Sequence, residues 1–120
     1  MMKKENRLLK NKDFKQVLDA KASISEEEFI VYKKSNKVGR IRIGISVSSK
    51  LGNSVVRHKI KRQISEILKE IMDINKSIDV VIIARNKFLH NSYAVNKEKL
   101  KKIFTNIENK VERRRRSEKN

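Results

Sequence analysis

The stretch that decides the fold is Lys50-Leu51-Gly52-Asn53-Ser54-Val55-Val56-Arg57-His58-Lys59-Ile60-Lys61-Arg62-Gln63-Ile64-Ser65-Glu66-Ile67-Leu68-Lys69. Val56, Ile60, Ile64, Ile67 and Ile71 recur every three or four residues. At about 100° per residue they fill an arc roughly 80° wide, the core-facing stripe of an amphipathic helix. Arg57, His58, Lys61, Arg62 and Lys69 are read as falling across the opposite side, a broad cationic back. Gly52-Asn53 reads as a turn, and Asn53 or Ser54 as the helix cap. Between Lys50 and Arg62 there are five Lys or Arg and no acid. A face built only for solubility interleaves signs, whereas a face built for phosphate does not.

Upstream, Arg40 to Ser49 alternates cleanly. Ile41, Ile43, Ile45 and Val47 form the core side of a strand. Arg40, Arg42, Gly44, Ser46 and Ser48 form the other side, which is small, polar and cationic. Gly44 lets a group approach the backbone closely, so this side suits the floor of a binding cleft. Downstream, Asp79 to Ala84 is a continuous apolar run, expected as a buried strand parallel to its predecessor.

Further out, Phe29-Ile30-Val31-Tyr32 reads as a strand covered on both faces, after the acidic run Glu26-Glu27-Glu28, expected to be solvated. Asn11 reads as the N-cap of a short helix to about Lys21, with Phe14, Val17 and Leu18 on one side. A last helix, capped by Ser92, carries the seam Leu100, Ile103, Phe104, Ile107 and Val111. Residues 1–10 are expected to be a flexible basic arm and residues 112–120 a disordered basic tail. The whole is expected to be one domain of α+β class with a small sheet, in the order α-β-β-α-β-α.

Composition narrows the partner. The 120 residues hold 31 Lys plus Arg against 14 acids, a net charge of +17. Such a charge repels itself in a compact state and calls for a polyanion. No stretch approaches the roughly 20 apolar residues of a membrane span. The N-terminus lacks the apolar run of a secretory signal, so a cytoplasmic location is expected. Without cysteine there is no disulfide, thiolate zinc site or thiol nucleophile. His58 and His90 are the only histidines, and neither shows metal-ligand spacing. Phosphate-binding loops and nucleophile elbows are missing as well. What remains is cationic surface with a few aromatics, the ingredients of RNA binding through phosphate and base stacking. A ribosomal-type RNA-binding protein shares these ingredients. A helix-turn-helix DNA binder lacks its paired upstream helix here, and a protein-only nuclease lacks clustered metal ligands.

Taken together, Arg42-Ile43-Gly44-Ile45-Ser46-Val47-Ser48 and the basic run through Arg62 resemble the signature of the bacterial ribonuclease P protein subunit. That family carries R-x-G-x-S-V-S on a strand and K-x-G-x-A-V-x-R-N-R-x-K-R on a helix. Arg7-Leu8-Leu9-Lys10-Asn11-Lys12-Asp13-Phe14 is similar to its opening R-L-x-x-x-x-D-F, and Ile82-Ile83-Ala84-Arg85 to its later strand. The similarity spans about residues 7–107.

The resemblance implies an accessory subunit of an endoribonuclease whose catalytic element is RNA. Divalent metal, usually magnesium and held mainly by that RNA, serves to remove the 5′ leader of precursor tRNA. It implies one RNA-binding domain folded as a small sandwich, with a central mixed sheet and a left-handed β-α-β crossover. It implies contact with the catalytic RNA through Arg57, Lys59, Lys61 and Arg62, with Lys50 and His58 beside them. It implies a leader cleft made by Phe14, Leu18, Tyr32 and Phe104 over Arg42 and Ser46. The expected partners are that RNA and precursor tRNA, with neither membrane nor DNA. His58 replaces the usual Asn and Lys59 the usual Arg, so a planar fork becomes a point charge. Ser65 stands where a further Arg is common, and Leu18 where some members have Phe.

Overall fold

A computed structural model describes residues 3–8 and 10–118, with side chains of the last helix described through residue 107. Four strands make one mixed sheet: β1 (Ser23–Ser25), β2 (Phe29–Ser35), β3 (Arg42–Val47) and β4 (Ile78–Ala84), in the spatial order β1-β2-β4-β3. Helix α1 is Asn11–Asp19, α2 is Ser54–Ile71 and α3 is Tyr93–Glu118. β4 pairs antiparallel with β2 and parallel with β3, and α2 makes the crossover between β3 and β4. The parallel pairing agrees with the apolar run of β4, which is buried along nearly its whole length.

The register fixes what each sheet face carries. Ile43 lies beside Val80, Ile45 beside Ile82, and Val31 across from Ile82. These residues face α2 and α3 and form the main core with Ile60, Ile64, Ile67, Leu68, Leu100, Ile103 and Ile107. The other face carries Tyr32, Val81, Ile83 and Gly44, and is covered in part by α1 through Phe14, Val17 and Leu18, with Leu8. So the sandwich has two helices on one side and a short one on the other. α2 owes its position to its apolar seam: Ile64 is fully buried, and its truncation to Ala costs about 2–5 kcal/mol.

Local chemistry explains the entry to α2. Gly52 has φ +151°, and a Cβ there would sit 2.9 Å from Val56, so the turn requires glycine. The Asn53 side chain then accepts a hydrogen bond from the Val56 N–H at 3.0 Å and caps the helix. At α3 the Ser92 hydroxyl accepts from the Val95 N–H at 3.3 Å.

Several expectations are corrected. Lys10, not Asn11, is the N-cap of α1, with no side-chain cap, and the helix stops at Asp19. The ladder of β3 is shorter than Arg40–Ser49, because Ser48 turns to cap a 3-10 turn at Ser49–Leu51. The short strand β1 goes unseen in the sequence; its three residues carry too little pattern. Residues 4–8 are not a free arm. Leu8 N–H donates to Ile43 O at 2.8 Å, and the Asn6 side chain donates to Ile41 O at 2.9 Å, so this segment lies along the outer edge of β3. An open edge invites pairing, and this chain covers its own. The helical backbone of α3 is assigned as far as Glu118. Its side chains beyond residue 107, Val111 among them, and residues 119–120 lie outside the described residues.

Candidate nucleic-acid interface

The cations of α2 divide by position. His58, Lys59, Lys61 and Arg62 are exposed, as is Lys50 on the turn before the helix. Arg57 differs. At about 100° per residue it lies only about 20° around the helix from Ile64, and it is half-buried with its Nε enclosed and unpartnered among the described residues. It therefore lies at the margin of the apolar seam rather than on the outer cationic face. Among the described residues, Lys50, Lys59 and Lys61 have no carboxylate partner. Arg62 has only Glu66, at 3.6 Å and largely in water, a contact worth at most about 1 kcal/mol.

The cleft lies across the sheet from α2. Phe14, Leu18 and Tyr32 are half-buried on this face. Gly44 does allow a close approach, and the group that approaches is the chain's own Phe14. A Cβ on Gly44 would lie 2.8 Å from Phe14 Cδ2 and nearer still to Cε2. The ring thus rests on the strand backbone with part of its surface open. Ser46 is half-buried two residues further along β3, on the same face.

Arg42 sits at the other end of this floor, and its charge is already answered. Its Nε and NH2 donate to the two Asp79 carboxylate oxygens at 2.8 and 2.7 Å, a bidentate pair, and its NH1 is 3.6 Å from Asp13 on α1. Hydrogen bonding to Asp79 holds the guanidinium more firmly charged than usual, against the opposing effect of burial. Asp79 also accepts from the Asn36 side chain at 2.7 Å. Arg42 therefore joins Asp13 of α1, the residue before Phe14, to Asp79 of β4. It differs in this from the free cation that the floor is expected to carry.

Phe104 is a correction. It is 1% exposed and packs in the main core, on the opposite side of the sheet from Phe14 and Tyr32. The physical reason is its place in the seam of α3, which faces the sheet together with Leu100, Ile103 and Ile107. It lies outside the cleft.

Another misjudged residue is Glu28, expected in a solvated acidic run. It is fully buried. Its carboxylate accepts from Lys99 Nζ and Asn91 Nδ2, both at 2.7 Å. Burial pushes the carboxyl up, but the hydrogen bonds from Lys99 and Asn91 outweigh it and leave the group below its ordinary value of 4.5. Glu27 is exposed and pairs with Lys87, which lowers it as well. Among the described residues no group of three or more His, Cys, Asp or Glu could hold a metal ion. No helix among them is long and apolar enough to cross a membrane.

A groove of ≈ 700 Å³ joins the two surfaces. It follows the outer edge of β3, with Phe14 and Gly44 at the cleft end and His58, Lys61 and Arg62 along α2. Arg7, which the sequence does not single out as a contact, forms part of its wall. The pairing of residues 7–8 with β3 is what brings Arg7 there.

The geometry is a sheet face with partly open aromatics, connected to a helix with unpaired cations. The family model described as Ribonuclease P matches residues 2–108. The ribonuclease P protein component of Mesoplasma florum is 38% identical over 104 residues, covering 85% of this chain and 94% of that protein. The one from Bacillus mycoides is 42% identical over 105 residues, covering 86% and 91%. Among solved structures, a Staphylococcus aureus RNase P protein mutant with defective mRNA degradation activity superposes with a TM-score of 0.80 at 34% identity, covering 88% of this chain and 90% of that one. The RNase P protein from Thermotoga maritima gives 0.71 at 30% identity, covering 82% and 94%. A match across nearly the whole chain, in sequence and in fold, has one conclusion: this chain belongs to the ribonuclease P protein family.

Proposed function

We propose that the chain is the protein subunit of a ribonuclease P, binding the catalytic RNA and the 5′ leader of precursor tRNA during removal of that leader. The observation that carries this is the joining of two unlike surfaces by one groove. The α2 flank offers Lys61 and Arg62 to RNA phosphates, with Lys50, His58 and Lys59 nearby. The opposite sheet face offers Phe14 and Tyr32, with Leu18 and Ser46, to the bases of a single strand. Stacking there is tolerant of sequence and worth roughly 1–3 kcal/mol per base, which suits a leader that differs from one precursor to the next.

Phosphodiester hydrolysis belongs to the RNA subunit, and we assign the divalent metal, magnesium, to it. The protein's own work is to hold and orient the strand. It acts on RNA in the cytoplasm, with neither membrane nor DNA as partner. The test is cleavage of 5′-labelled precursor tRNA at low magnesium by protein alone, catalytic RNA alone, and both. Efficient release of an intact leader only by the combination is the expected result. Cleavage by the protein alone would overturn the accessory role, and no effect of protein on the RNA's activity would favour a ribosomal-type RNA binder.

A further inference from the structure

The groove beside β3 has a built charge pattern. Arg7 stands on its outer wall, and His58 and Lys61 project from α2. Its one carboxylate, Glu66, is turned to Arg62. The residues of β3 and α1 that line it, Ile43, Gly44, Ile45 and Phe14, carry no titratable group. His58 thus shares the groove with Arg7 from the docked segment and with Lys61, Arg62 and Glu66 of its own helix, while Arg57 and Lys59 flank it in sequence and lie about 100° to either side. An imidazole gains or loses its charge within the ordinary range of solution pH. A phosphodiester set among these cations favours the charged form.

We propose that the groove is a phosphodiester site for the single strand passing between cleft and α2, and that His58 completes the site as an imidazolium. Binding then takes up one proton from solvent onto the free ring nitrogen. This rests on the RNA-binding role given above. An asparagine here, as in the family signature, could donate a hydrogen bond but could not carry the charge. The replacement by His58 therefore makes affinity respond to pH.

The experiment is equilibrium binding of the full chain to a short oligouridylate, whose bases do not titrate near neutrality, from pH 5.5 to 8 at fixed salt. Affinity of the unaltered chain is expected to rise about tenfold as pH falls. His58→Asn should remove that rise. His58→Lys should bind at the low-pH level throughout. An equal rise in His58→Asn, or a flat profile for the unaltered chain, overturns the inference while leaving RNA binding intact. Failure of every variant to bind at any pH overturns the RNA-binding role and this inference with it.

Discussion

Arg42 and Arg62 are both arginines close to the proposed path of RNA, and the molecule treats them in opposite ways. Arg42 is held by two carboxylates and a surrounding hydrogen-bond network. Arg62 stands in solvent with one loose partner on the next turn. The same contrast runs through the regions around them. On the sheet and at its ends, charges are matched: Arg42 with Asp79, Lys99 with Glu28, Lys87 with Glu27. Along the outer flank of α2 and the groove beside it, most are not. Matched charges hold the fold; unmatched ones leave their field available to a polyanion. The cleft is therefore expected to bind mainly by stacking and shape, and α2 mainly by charge.

This contrast can be broken by experiment. The largest effect is expected from Phe14→Ala, which removes a stacking surface worth roughly 1–3 kcal/mol. Affinity for precursor tRNA in the presence of the catalytic RNA should fall about 5- to 150-fold, with mature tRNA unaffected. Equal loss for both would remove the cleft from leader binding. Next comes Glu28→Ala, which leaves Lys99 and Asn91 without their acceptor. Lys99 can still reach water, so the loss in unfolding free energy should be about 1–3 kcal/mol rather than that of a fully buried pair, measured by denaturant titration. Because the native Glu28 carboxyl lies below its ordinary 4.5, its contribution is present above that value. It is lost as pH falls through the lower native value, and the variant should lack that portion of the acid loss.

Smaller effects separate the two arginines directly. Arg62→Ala should lower affinity for the catalytic RNA severalfold and flatten the dependence of log K on log salt by about 0.7–0.9 per lost phosphate contact. Arg42→Ala should leave that slope unchanged, its charge being already spent on Asp79, and should weaken precursor binding only through Phe14. A flattened slope for Arg42→Ala would mean that the distinction between matched and unmatched charge is wrong.

Much of this was legible in the chain, for reasons of range. The seam of α2, its Asn53 cap, the alternation of β3 and the unbroken run of β4 are set by near neighbours, and period alone reveals them. The cleft residues on β3 follow from the same alternation. What was hidden depends on distant partners. Asp79, which takes up the charge of Arg42, is 37 positions away, and Lys99, which lets Glu28 be buried, is 71 away. Arg57 was misjudged because it shares a charge type with its neighbours while sharing an angle with Ile64. Phe104 was the reverse case: its seam spacing already pointed to the core, and the family pattern drew it to the cleft.

The position of β4 has a consequence for how the protein comes into being. It is the strand that both β2 and β3 pair with, yet it is made after both and after α2. Until β4 has been synthesised, β2 has only the short β1 beside it, β3 has only the docked segment at residues 7–8, and Arg42 has no Asp79. Pairings between such distant segments close slowly, so the nascent chain carries its full complement of α2 cations before it has a sheet to mount them on. The helix is thus displayed in its working orientation only once the last strand has entered, and assembly with RNA in the correct geometry has to wait for at least the first 84 residues.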